Sequence, residues 1–236
     1  MSEQITYQEV VSRLRNYHRD GYIYIGSVMK GATLATGTLI LLEIFTGMPN
    51  MWLYILFWLA SLAAAMTTYF TWSRGITLTN SRGNVWDSVF PLLLGITEVL
   101  LFGLLYIKKT TDNQPIGLFW WFICLAIYFA LAVGITYNRY GVTNVTLDFS
   151  PELQNLGKEY QGWIKEDQIG SLIGMIFAVV AAIISWFFQK NYCLQAIFVG
   201  SFILLFFYVI NKSNNQRKRI NQVIFEDINF IPESQE

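Results

Sequence analysis

Apolar residues along this chain arrive in blocks, not in alternation. Six blocks approach the run of about 20 mostly apolar residues that a helix needs to cross a hydrocarbon core. They lie at roughly 25–47, 51–72, 88–107, 117–137, 170–188 and 192–210. The first is diluted by Lys30 and several threonines, whereas the fifth runs from Leu172 to Phe188 without a charge. At membrane depth the backbone must satisfy its own hydrogen bonds, so each block is expected to be helical. The pattern predicts an all-α integral membrane protein with six transmembrane helices. Three connections are short, around Met48–Pro49–Asn50, Lys108 to Ile116 and Gln189–Lys190–Asn191. Short connections make neighbours of the helices they join, which predicts three antiparallel hairpins.

Two polar stretches carry helical patterns of their own. Thr6 and Glu9 have capping-box spacing, Val10, Val11, Leu14 and Tyr17 form a stripe after them, and Gly21 is a natural stop. Ser150–Pro151–Glu152 is a second helix start, with Leu153, Leu156, Tyr160, Trp163 and Ile164 on one face. Such short amphipathic helices either lie on the inner membrane surface, with Trp163, Leu156 and Tyr160 toward lipid, or pack on the cytosolic ends of the bundle. The organisation expected is an amphipathic N-terminal helix over 1–24, a membrane domain over 25–211 that includes the surface segment 150–168, and a polar cytosolic tail over 212–236.

Charge sets the orientation. Thirteen of the 16 lysines and arginines fall on the side that holds both chain ends, leaving only Lys108, Lys109 and Lys190 opposite. The positive-inside rule then puts both termini in the cytosol, in a plasma or inner membrane. Tryptophan favours the headgroup level. Trp52, Trp120, Trp121 and Trp186 would mark the outer interface and Trp72, Trp86 and Trp163 the inner one, with Trp58 alone deep in a span. The 54% hydrophobic and 14% charged composition agrees with a membrane class, and a net charge of zero gives no electrostatic case for nucleic acid.

Glu98 carries most of the chemical interest. It sits near the middle of the third span, where a carboxyl faces a bundle interior, a cavity or a partner. With no lysine or arginine expected at its depth, it should be protonated, hydrogen-bonded to a threonine or tyrosine, or neutralised by a bound cation. Asp87 lies eleven residues earlier on the same face, with Pro91 and Gly95 between. Together they suggest a polar path from the cytosol. Glu43, with Thr36 and then Thr33 on its face, is a second candidate line, or an interfacial glutamate near the outer water. Glu43 and Glu98, with the similar stretches Ser73–Thr77 and Asn138–Thr143, suggest either a duplicated hairpin or two similar membrane exits.

Small residues recur every four positions at Gly170, Gly174, Ala178 and Ala182, at Ala126, Ala130 and Gly134, and at Ala60 and Ala64. That spacing lets helix backbones approach closely and can also serve subunit contacts. Enzyme signatures are missing: the single histidine, His18, sits among arginines, and no metal cluster, nucleophile elbow or phosphate loop is present. No cofactor or metal is expected. Two function classes follow. One is a transporter or channel subunit for a cation, proton or small solute, with Glu98 on the path. The other is a non-catalytic scaffold or effector docking cytosolic proteins. Either would sit in the lipid bilayer as a homo-oligomer or with a membrane partner.

Overall fold

The computed structural model describes residues 7–46, 50–78, 86–106, 116–140, 151–189 and 191–228, with side chains over 24–46, 50–71, 89–106, 118–137, 155–189 and 191–223. These residues form six helices: α1 (Tyr7–Phe45), α2 (Met51–Leu78), α3 (Trp86–Tyr106), α4 (Ile116–Tyr140), α5 (Pro151–Phe187) and α6 (Tyr192–Ile228). Each contains a stretch long and apolar enough to cross a membrane. Among the described residues there is no strand. This is the architecture of an all-α membrane protein.

Contacts between helices fix their directions. Lys30 meets Ala65 while Gly37 meets Trp58, so α1 and α2 run antiparallel. Met29 lies against Gly95 and Gly37 against Phe102, so α1 and α3 run parallel. Ser61 bonds Trp121 and Ala64 bonds Tyr128, which makes α2 and α4 parallel. On α5, Gly174 meets Phe129 and Trp186 meets Phe119 of α4, an antiparallel pair. Phe177 packs against Phe202 while Lys212 bonds Glu166, so α6 returns antiparallel to α5. The six helices therefore alternate in direction. The start of α1 and the end of α6 share one end of the bundle, and the helix ends that the three short connections join share the other. The broadest seams join α4 to α5, α1 to α3, α2 to α6 and α3 to α4, so of the three sequential hairpins only α3–α4 is among them.

Two expected breaks do not occur. Gly21 lies inside α1, which continues unbroken into the first span. A lone glycine costs a helix about 1 kcal/mol but ends it only when the chain also turns left-handed there. The segment 150–168 is the first half of α5, not a separate helix on the membrane surface. Lys165, Glu166, Asp167 and Gln168 contain no breaker, so the helix runs straight into the fifth span. Leu156, Tyr160 and Ile164 are buried inside the protein, and Leu156 packs with Ile220 and Val223 of α6, with half-buried Trp163 alongside. Of the two positions open to this stripe, the structure selects packing on the bundle. α6 also continues past the sixth apolar block to Ile228, so the beginning of the polar tail is helical. At 1.5 Å per residue, 37-residue α5 and α6 are each about 55 Å long, well beyond a hydrocarbon core of about 30 Å.

The core is aromatic. Phe129 stacks on Phe206 at 5.7 Å, and Phe57 meets Trp121 edge-on at 4.8 Å. Trp121 is wholly buried and donates its indole N–H to Ser61 Oγ at 3.0 Å, so it does not mark an interface. Trp52, Trp120 and Trp186 are about half exposed at the short-connection end. Close approach depends on missing side chains at two seams. A Cβ on Gly174 would stand 2.7 Å from the Phe129 ring, and one on Gly95 would stand 2.7 Å from Met29 Cβ. Ala178, Ala181 and Ala182 extend the first seam with full burial. On α4, Ala126 is buried and Gly134 lies under Phe90. Ala130 and Gly170 are exposed, and a Cβ at Gly170 would meet nothing within 4 Å. The small-residue seam on α5 thus begins at Gly174.

Candidate functional site

A cavity of about 190 Å³ opens among all six helices, toward the end of the bundle that holds the start of α1 and the end of α6. Its deepest charged group is Glu98, which is fully buried on α3. The expectation that no cation shares its depth is wrong. Lys30 of α1 donates to both Glu98 oxygens, at 2.5 and 2.6 Å, and its third N–H goes to the Ala65 carbonyl of α2 at 2.9 Å. One ammonium therefore ties three helices together.

The reason lies in helix register. The contacts of Met29 with Gly95 and Gly37 with Phe102 bring Glu98 level with Ala32 and Thr33. Lys30 is then only about half a turn away along the axis, well within reach of a lysine stem. The same register separates Glu98 from Glu43 by about 15 Å along the axis at 1.5 Å per residue. The two glutamates therefore stand at different depths and do not match as corresponding positions of a repeat.

Hydroxyl groups complete the surroundings. Thr33 is buried, bonds the Met29 carbonyl at 2.9 Å and stands 3.5 Å from Glu98 Oε2. Thr68 shares a 2.8 Å contact with the Tyr128 hydroxyl, which donates to the Ala64 carbonyl at 2.9 Å. Pro91 lies buried on the cavity wall and offers no amide to the carbonyl four residues earlier. At the mouth, Lys212 of α6 bonds Glu166 of α5 at 2.6 Å and faces Asp167 at 4.0 Å. Tyr160, for which a lipid surface was one of two expected positions, forms part of the cavity wall together with Ile164.

The other sequence candidates divide. Asp87 lies in the first turn of α3, but its side chain falls outside the described residues. Glu43 and Thr36 are half-buried on α1 and do not line the cavity. Lys30, Thr68, Tyr128 and the Lys212–Glu166 pair are the site residues that sequence reasoning missed. For Lys30 the signal was present, since it is the one lysine inside the six apolar blocks and it shares a helical face with Thr33. For the others the signal is tertiary, because each depends on which helices meet. Among the described residues no cluster of histidine, cysteine or acidic side chains is arranged to hold a metal ion. Cys124 is buried and Cys193 exposed, and both are free thiols. No family model, curated protein or solved structure matches the chain.

Proposed function

We propose that this chain is a small-solute transport protein, with the ion-paired cavity as its binding site and both ends of the chain in the cytosol. One observation carries the reading. A cavity reaches from one end of the bundle to a buried Lys30–Glu98 pair that joins α1, α2 and α3. A membrane protein built only as a scaffold has no need for a polar chamber at that depth, where ionisable groups are costly. The pair suits a gate. While it is made, α1 is held against α2 and α3. A solute that competes for Glu98 or Lys30 loosens that hold, and binding energy is then linked to helix movement. Because Lys30 already balances Glu98, a bare cation path through Glu98 is the weaker form of the transport reading.

A second reading has its own support. The paired extensions of α5 and α6, held by Leu156, Ile220 and Val223 and by Arg219 near Glu159 at 3.9 Å, form a platform suited to a cytosolic protein partner.

Uptake into proteoliposomes decides between them. Vesicles with the wild-type chain, supplied with a mixed extract of small metabolites, should accumulate at least one solute above protein-free vesicles by mass spectrometry. Gly170→Trp should plug the cavity, since it lines the chamber and its Cβ position is open. Uptake should then fall roughly tenfold or more while insertion holds. Gly103→Trp is the control, because its Cβ position is also open and it lies outside the cavity. Equal accumulation with wild type, Gly170→Trp and empty vesicles would leave the scaffold reading.

Orientation has a separate test. With Cys193 replaced by serine, Asn50→Cys should react with an impermeant maleimide on intact cells, whereas Asn155→Cys should stay shielded until the membrane is opened. Both positions are exposed. Labelling of position 155 from outside would reverse or break the both-ends-inside arrangement.

A further inference from the structure

The placement of protons on the cavity wall narrows what it can hold. A threonine hydroxyl has one proton to donate and two lone pairs that accept. Thr67 gives its proton to the Ala63 carbonyl at 2.8 Å, Thr71 to Thr67 at 2.9 Å and Thr136 to Ala132 at 3.0 Å. Thr68 and Tyr128 lie 2.8 Å apart, and both reach the Ala64 carbonyl, at 3.2 and 2.9 Å. Whichever of the two donates to the other, both protons end on protein oxygens. An ammonium has three donors, and Lys30 commits all three to Ala65 and the two Glu98 oxygens. What the hydroxyl groups still offer a ligand is lone pairs.

The remaining wall is apolar and aromatic. Phe129 and Phe206 stack in parallel along one side, next to Tyr128. Aromatic faces attract a positive head group, more strongly when water is excluded. The volume of about 190 Å³ sets the size. A cavity of about 150 Å³ accommodates benzene, so this one suits a body of roughly eight heavy atoms.

We infer that the cavity binds a compact organic ammonium, a primary or secondary amine on an apolar body, whose N–H groups face the lone pairs of Thr68, Thr71 and Thr136. This deepens the transport proposal and rests on the cavity being its solute site. Phosphate esters and carboxylates are disfavoured, because they need donors and the deep donors are already committed. The Lys212 ammonium at the mouth is held by Glu166.

Three probes of matched shape test it: 2-phenylethylamine, 2-phenylethanol and phenylacetate. Binding is read by calorimetry on the full chain in nanodiscs, in the absence of any gradient. The amine should bind roughly tenfold or more tightly than either of the others, as charge-assisted hydrogen bonds require. Gly170→Trp should abolish its binding. Thr136→Val, which keeps the shape and removes one acceptor, should weaken the amine roughly threefold and leave the alcohol's affinity within that margin. Equal or tighter binding of phenylacetate or the alcohol overturns the inference, and so does an amine that fails to bind at millimolar concentration. Amine binding without any solute uptake would sink transport and leave this inference standing. Uptake of a non-amine solute, blocked by Gly170→Trp and without amine preference, would do the opposite.

Discussion

Lys30→Met alone is expected to lower the stability of the folded bundle by about 3–5 kcal/mol, and Glu98→Leu alone by a similar amount, because each leaves an uncompensated buried charge. The double variant Lys30→Met/Glu98→Leu should regain most of that loss and come within about 1–2 kcal/mol of wild type, since an apolar pair of like volume needs no desolvation. The physical basis is the bidentate contact at 2.5 and 2.6 Å with a carboxylate that no solvent reaches. Reversible unfolding in mixed micelles, run as a double-mutant cycle, measures the coupling directly. Single variants that each cost under about 1 kcal/mol would mean the pair is solvated in the membrane and holds nothing together. Uptake separates structure from function in the same variants. If the pair serves only the fold, the double variant transports as well as wild type. If it is part of the solute site, the double variant folds and stays inactive.

Trp121→Ala should cost about 3–5 kcal/mol, at the upper range for loss of a buried aromatic side chain. Trp121 is fully buried, packs on Phe57 and Phe122, and leaves Ser61 without its donor when removed. Trp120 stands beside it in sequence but is half exposed, so Trp120→Ala should cost about 1 kcal/mol or less in the same assay. The difference between the two is the useful reading, since both remove one indole at one level of α4. Equal losses would mean that the interior assignment of Trp121 is wrong.

Those two tryptophans show where sequence reading stops. The six apolar blocks were legible because length and continuity decide membrane spans, and every span appears as a helix. Which side of a span faces inward was not, because both sides of the helix are apolar when lipid and protein interior are equally so. Trp120 and Trp121 are therefore alike in sequence and opposite in environment. Helix ends at the membrane surface failed for a related reason. Gly21 and the stretch between Ile164 and Gly170 mark changes in polarity, and polarity governs where lipid ends, not where a helix does. Glu98 stood out by its isolation in an apolar run. Its partner did not, because the relevant distance depends on the offset between α1 and α3, which only the Met29–Gly95 and Gly37–Phe102 contacts set.

The Lys30–Glu98 pair also constrains the order in which the chain can settle during synthesis. The two residues are 68 positions apart, so α1 emerges long before its counter-ion exists. Until α3 arrives, a lysine inside the first span carries an insertion penalty of about 2.5–3.5 kcal/mol if held at the bilayer centre. The nascent helix escapes that penalty by sliding, so that the ammonium stays among the headgroups. It takes its final depth only when Glu98 enters. Glu98 gains in the same moment, since its own entry is neutralised by a cation already waiting at the surface. Of these six spans, α1 is thus made before the others and is among the last to be seated.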